Sequence, residues 1–525
     1  MGGAPGPDVP AFLTLVIAVA LVAVAVRFVR VPYTVALVLT GLALALAPNA
    51  PRVQLTPAII LTVFLPVLLF HGAYNLDYAD VRANFAPVAL LAVPGVLVTA
   101  ALVGAALHYL ARLPWDTALL FGAIVGATDP VAVLALFGEV GAPRRLATIV
   151  NAESLFNDGT ALVVFTTILG VIASGTFDAG VTVERFVIVV VGSLALGAAV
   201  GVLGGTLVAR LDDALVETTI TVILAYGGYL LADRLGVSGP LETVTAGLLL
   251  GARGTRVMSA TTRLQARATW QFLDFLANSL LFLLVGLAVR PLGESAVLGL
   301  GATVWWSLAV AVVAVTLSRA AVAWSVAHLL ARFGRPLPQG WRTVLTWAGL
   351  RGAVSLAAAL SLPGRLPNRA LLLALTFGVV FFTLLAQGLT IKRVMAWLRI
   401  GGGESSRRAL ELVAGRLRAT EAALREVAAL RQGDGLDDAV ARRLEEEYAE
   451  RRRALRRELA AMGHDEETLE RQQEVEALRR LLRVQREALR DSYARGQISS
   501  ASLRELVVEV DDELAKLEPE LEDDG

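Results

Sequence analysis

The densest polar chemistry in this 525-residue chain is Asn151-Ala-Glu153-Ser154-Leu-Phe-Asn157-Asp158-Gly159-Thr160, set inside a long apolar stretch. Helical positions four apart share a face, so Glu153 lies beside Asn157 and Ser154 beside Asp158. The Ser154 hydroxyl and the Asp158 carboxylate can then present oxygens to one small cation. Hard oxygen donors carrying a single full negative charge suit Na+, K+ or Li+. Earlier in the chain, Gly122-Ala-Ile-Val-Gly126-Ala-Thr128-Asp129-Pro130 interrupts another apolar stretch. Pro130 has no backbone N–H and disfavours helix at Asp129, so a break here frees carbonyls next to the Thr128 hydroxyl.

A carboxylate held away from water is costly as a bare anion unless a proton or a cation neutralises it. If both compete for Asp158, each turnover carries one or the other, which is exchange without ATP. Other chemistries are excluded. Of 47 basic residues only Lys392 and Lys516 are lysines, and neither sits in a Gly-rich loop, so a P-loop ATPase is ruled out. His71, His108, His328 and His464 lack metal-ligand spacing, and with no cysteine there is no disulfide scaffold. No enzyme is expected, and no cofactor beyond transported Na+, K+ or Li+ and H+.

The elements that must hold these residues are membrane spans. The chain is 56% hydrophobic with a mean hydropathy of +0.64. A span needs about 20 apolar residues. Segments 9–29, 33–47, 55–75, 86–110, 116–138, 146–172, 184–208, 216–232, 238–252, 270–289, 296–328, 343–362 and 370–390 meet or approach that length, predicting about thirteen transmembrane helices. The break at Thr128-Asp129-Pro130 has a counterpart seven spans later at Gly349-Leu-Arg351-Gly352-Ala-Val-Ser355. Breaks at corresponding positions of two halves point to a transporter's midplane site, so spans one to six and eight to thirteen are read as inverted repeats. Interrupted backbone at that depth is tolerable only where it lines a cavity.

Charge divides the chain in two. Residues 1–400, the transmembrane domain, carry 25 Lys+Arg and 17 Asp+Glu; residues 401–525, a helical tail, carry 22 and 30. The bodies are thus +8 and −8, and no basic body for nucleic acid exists. Basic residues after odd-numbered spans outnumber those after even-numbered ones about two to one, placing the tail in the cytoplasm. The tail, 404–520, reads as three or four amphipathic helices broken at Gly433-Asp434-Gly435, near Gly463 and at Gly496. It is expected to support a dimer or to bind a cytoplasmic ligand or partner, and its charge suits docking beneath the basic face.

Within span interiors the ionisable residues are Asp129, Glu153, Asp158, Arg319 and Arg351. Intramembrane charge marks function by default. Glu242 follows Ser238-Gly239-Pro240 and reads as a helix start; Asp274 reads as a structural acid one turn into the tenth span.

Gly126-Ala-Thr128-Asp129-Pro130-Val, the Asn151–Thr160 run, Leu350-Arg351-Gly352-Ala-Val-Ser-Leu and Leu317-Ser-Arg319-Ala together resemble the first monovalent cation:proton antiporter family, which holds the bacterial NhaP-like and eukaryotic sodium–hydrogen exchangers. The likeness extends over residues 9–400. It implies an all-α polytopic fold with crossed broken helices, and a core bundle moving against a dimerisation bundle by an elevator motion. It also implies a homodimer in a bacterial inner membrane. Carried over residue by residue, Asp158 binds cation and proton, Ser154 is a second ligand, and Thr128 contributes its backbone carbonyl. Asn157 supports the site; where charge-moving relatives have an acid there, Asn implies electroneutral exchange. Glu153 would pair with Arg351, while Asp129 and Arg319 offset the helix dipoles at the breaks. One departure stands out: many NhaP-like members place a glutamate after Phe64-Leu-Pro66-Val-Leu-Leu-Phe70, and this chain has His71, a possible modulator. A gated monovalent cation channel and a proton-coupled organic ion carrier remain as alternatives. The channel would need a continuous wet pore, and the carrier a larger pocket with aromatic or further charged residues.

Overall fold

The computed structural model describes residues 9–26, 28, 33–46, 60–211, 213–287, 301–334, 336–401, 403–432 and 437–461, with parts of 478–516. Every regular element among them is helical. Arg27, Arg30, Arg52, Arg290 and Arg335, and the three expected breaks of the tail, lie outside the described residues. Two compact units form, Met1–Gly402 and Gly403–Gly525.

In the first unit, α1 (Val9–Ala25) and α2 (Tyr33–Leu46) precede a π-helical turn, Ile60–Phe64, that runs into α3 (Leu65–Tyr74). Next come α4 (Tyr78–Ala83), α5 (Phe85–Ala92) and α6 (Pro94–Ala111), the last two parted only at Val93, because Pro94 has no N–H to continue the ladder. The stretch Val125–Pro130 separates α7 (Trp115–Ile124) from α8 (Val131–Val140). Six long helices follow: α9 (Arg144–Ser174), α10 (Ala179–Val208), α11 (Ala214–Arg234), α12 (Gly239–Val257), α13 (Ala260–Leu287) and α14 (Gly301–Arg332). The second interruption, Ala348–Gly352, separates α15 (Trp341–Trp347) from α16 (Ala353–Leu360). Finally α17 (Arg369–Phe382) passes through a π-helical turn, Thr383–Gln387, into α18 (Gly388–Trp397).

Helix starts follow capping chemistry. Asp178 accepts from Val181 N at 3.0 Å to open α10, and Asp213 accepts from Leu215 N and Val216 N to open α11. Among the described residues, seven helices have the length and apolar composition to cross a bilayer, against the thirteen expected of the chain. At the other expected spans the described helices are shorter, interrupted like the two broken ones, or, like the 19-residue α12 with Glu242, Arg253 and Arg256, more charged. The outward faces are apolar over the length of these helices: α10 exposes Val181, Val183, Val187, Ile188 and Val191, and α14 exposes Trp305, Trp306 and Trp324. That is the surface of a chain solvated by lipid.

Lipid gives helices no hydrophobic reason to associate, so close backbone approach must serve instead. α2 and α13 show it. A Cβ on Gly41 would stand 2.1 Å from the Leu283 carbonyl oxygen, and one on Gly286 would stand 2.2 Å from that of Val38. One sequence expectation shifts here. Asp274 was placed a turn inside its span, but α13 starts at Ala260, so Asp274 stands near mid-helix.

In the second unit, α19 (Gly403–Gln432), α20 (Asp438–Ala461) and α21 (Ser500–Lys516) are amphipathic. Leu410, Val413 and Leu417 of α19 pack with Leu455 and Leu459 of α20. Arg431 with Asp438 and Arg456 with Glu421 pair at 2.8 and 3.5 Å. Such exposed pairs add little, so the apolar seam carries the hairpin.

Candidate functional site

The two interruptions meet. Asp129 N donates to the Leu350 carbonyl at 2.8 Å, and Arg351 Nη1 donates to that of Ala127 at 3.3 Å. They approach so closely that a Cβ on Gly352 would stand 2.1 Å from Asp129 Oδ2, which is why the motif needs glycine there. Asp129 Oδ1 accepts from Val131 N at 2.9 Å, putting a negative group at the N-terminus of α8. On the other side, Arg351 N donates to Thr383 Oγ1 at 3.1 Å, and that hydroxyl donates to Val380 O. Thr383 opens the π-helical turn, a device that re-aims side chains at functional sites.

α9 runs beside both breaks and presents its polar run to them. Asn157 Nδ2 donates to Thr128 Oγ1 and to Glu153 Oε1, each at 2.6 Å, and its Oδ1 accepts from Thr128 N at 3.1 Å. Thr128 Oγ1 shares a 3.0 Å hydrogen bond with Ser154 Oγ. Arg319, on α14, then grips Glu153 with both terminal nitrogens, Nη1 to Oε1 and Nη2 to Oε2, each at 2.8 Å. Its Nε donates to the Leu345 carbonyl of α15. Ser154, Thr128, Asn157, Glu153 and Arg319 therefore form one continuous chain of contacts.

This corrects the expected pairing of Glu153 with Arg351. Arg319 takes the carboxylate because α14 brings a guanidinium squarely to both oxygens. Arg351 is held inside the break by Ala127, and its buried Nε has no hydrogen-bond partner among the described residues. Arg351 remains within electrostatic reach of Glu153 and Asp158. Breaking a buried pair leaves an uncompensated charge at a cost of about 3–5 kcal/mol, so Glu153 is a poor candidate for a group that changes state each cycle.

Asp158 differs. It is 8% exposed and makes no hydrogen bond among the described residues. It lines a cavity of about 260 Å³ together with Thr128, Asp129, Ser355, His71, Asp274 and Asn278. Ser154 and Asn157 stand behind that wall, bound to Thr128. His71 Nδ1 lies 3.2 Å from Asp274 Oδ1, joining α3 to α13. Glu242 is fully buried at the start of α12, accepts from Thr243 Oγ1 at 3.1 Å, and is not part of the cavity wall.

Sequence reasoning overlooked three contributors. Ser355 Oγ is fully buried and has no hydrogen-bond partner among the described residues, and the residue is part of the cavity lining. Its position just after Arg351-Gly352 was the available signal. Asn278 follows Asp274 by one turn on α13, a spacing open to notice. Nothing in the sequence singled out Thr383.

A helical, multi-pass membrane protein whose two interrupted helices meet beside a buried carboxylate with no hydrogen bond among the described residues has the build of a secondary transporter. The family model described as sodium/hydrogen exchanger, transmembrane, matches residues 13–397, and the chain belongs to that family. It is 39% identical over 399 residues to the Na(+)/H(+) antiporter ApNhaP of Aphanothece halophytica, covering 74% of each chain. It is 37% identical over 394 residues to the Na(+)/H(+) antiporter NhaP of Pseudomonas aeruginosa, covering 70% of this chain and 91% of that one. The fold is similar to that of the sodium proton antiporter MjNhaP1 from Methanocaldococcus jannaschii at pH 8, with a TM-score of 0.59 at 20% identity over 74% of this chain and 99% of that one.

Proposed function

We propose that the protein exchanges a monovalent cation for a proton across the membrane, with the two competing for Asp158. The observation that carries this is the contrast between two buried acids: Glu153 is saturated by Arg319 and Asn157, whereas Asp158 lines the cavity with no hydrogen bond among the described residues. A bare carboxylate there needs a positive companion, and H+ and a small cation are the two that fit. Thr128, through its carbonyl, and Ser154, once its hydroxyl turns from Thr128 Oγ1 toward the cavity, would complete the ligand set. Na+ is the first choice, since the relatives above are named for it; K+ and Li+ share the same hard-oxygen chemistry.

The finer reading follows from the same residues. Asn157 brings no second titrating charge, so exchange is one for one and electroneutral. Asp129 and Arg351 belong to the two breaks, and the site they enclose opens to either side by an elevator motion of the core against a dimerisation bundle. Thirteen spans in two inverted repeats, a homodimer in a bacterial inner membrane and a cytoplasmic tail complete the picture. The test is proton flux in proteoliposomes challenged separately with Na+, Li+ and K+. Flux driven by at least one cation and absent in Asp158→Asn supports the reading. Flux retained in Asp158→Asn overturns it, and turnover that follows membrane potential removes the electroneutral part alone.

A further inference from the structure

We infer that Asp274 is a second cation-attracting carboxylate of the transport cavity, positioned there by His71 and Asn278. This rests on the exchange reading above and adds a residue to it.

Asp274 stands near the middle of a bilayer-crossing helix, where an acid is expensive unless it has work or a partner. Its two contacts fall on the same oxygen. Oδ1 meets His71 Nδ1 at 3.2 Å and accepts from Asn278 Nδ2 at 3.1 Å. Oδ2 has no hydrogen bond among the described residues. The side chain is 26% exposed, and it lines the cavity that also holds Asp158. Such geometry differs from that of Glu153, where a permanently charged guanidinium occupies both oxygens. An imidazole cancels a carboxylate only while it carries a proton. Among the described residues Asp274 therefore has no guanidinium clamp, and both of its contacts leave Oδ2 aside.

Two features favour a polar occupant: among the described residues neither the Asp158 carboxylate, nine-tenths buried, nor the buried Ser355 hydroxyl has a hydrogen-bond partner. The other charged groups on the wall are Asp129 and Asp158, both acidic. Glu217, Arg263 and Arg267 act electrostatically on Tyr74, further along α3, and are not part of the cavity wall. A concave wall of one sign concentrates counter-ions, so the arrangement draws cations and repels anions. His71 acts through Asp274 and is a positioning residue.

The experiment uses the full chain in proteoliposomes, with Na+, Li+ and K+ as probes and thermal melting as a check on folding. Asp274→Asn raises the half-saturating concentration of the transported cation about tenfold, as loss of one nearby charge implies, with a smaller effect on maximal rate. Because positions 71 and 274 touch, the acid can be moved: His71→Glu combined with Asp274→Ala restores half-saturation toward wild type, whereas Asp274→Ala alone does not. Unchanged half-saturation in Asp274→Asn, or a double variant no better than Asp274→Ala, overturns the inference. Failure of the exchange reading would register separately, as flux surviving in Asp158→Asn.

Discussion

Arg319 and Glu153 form a two-pronged ion pair, both contacts at 2.8 Å, with the two residues 5% and 0% exposed. The pair joins α14 to α9 and, through Leu345, to the first half of the second broken helix. Removing either partner alone, as in Glu153→Gln or Arg319→Gln, should destabilise the protein by about 3–5 kcal/mol. The double variant should lose less than the sum, because no charge is then stranded. Arg319→Lys should fail to rescue, since a single ammonium cannot reproduce the fork and the Leu345 contact. Thermal unfolding in detergent measures all three.

Asn157 is an amide because of what it touches. One of its protons goes to Glu153 Oε1 and the other to Thr128 Oγ1. Asn157→Asp would set two carboxylates against each other at hydrogen-bond distance. Loss of a hydrogen bond to a charged group costs about 1.5–3 kcal/mol, and repulsion adds to that unless the new acid holds a proton. The expected outcome is a melting temperature that falls more steeply from low to high pH than that of the wild type.

Ser355 offers a cleaner probe of the cavity, because its hydroxyl makes no hydrogen bond among the described residues. Ser355→Ala should leave the melting temperature within about 2 °C, as expected when no protein hydrogen bond is lost. It should raise the half-saturating cation concentration several-fold if the hydroxyl meets the ion or its water. Ser355→Leu should abolish flux by filling the cavity. Equal transport by all three forms would remove Ser355 from the site.

Some of this was legible in the residues and some was not. Pro130, Gly126 and the Arg351-Gly352 pair announced two breaks, because proline and glycine act locally and their effect does not depend on the rest of the chain. Placing Asp158 beside the first break needed only the apolar lengths of two neighbouring spans. The partner of Glu153 was another matter. Arg319 and Arg351 lie 166 and 198 positions away, and helix packing rather than spacing chooses between them. Asp274 was misjudged for a different reason: α13 begins in the polar run at Ala260, which an apolarity window discards, so its middle looked like its end. That His71 faces Asp274 across 203 positions has no sequence signature.

If proton and cation share one carboxylate, they inhibit each other's binding by equal factors. Lowering pH through the range where Asp158 takes up its proton should raise the half-saturating cation concentration by up to about tenfold per pH unit. Raising the cation concentration should recover the rate at low pH. A half-saturation that stays constant across that range would mean separate sites.

Proton release on cation binding tests the shared carboxylate most directly. The purified protein, in weakly buffered detergent solution, is titrated with Na+, Li+ and K+ while pH is followed. The account predicts release approaching one proton per bound cation in the wild type and none from Asp158→Asn. Equal release from the variant, or cation binding to the wild type with no release at any pH, would contradict it.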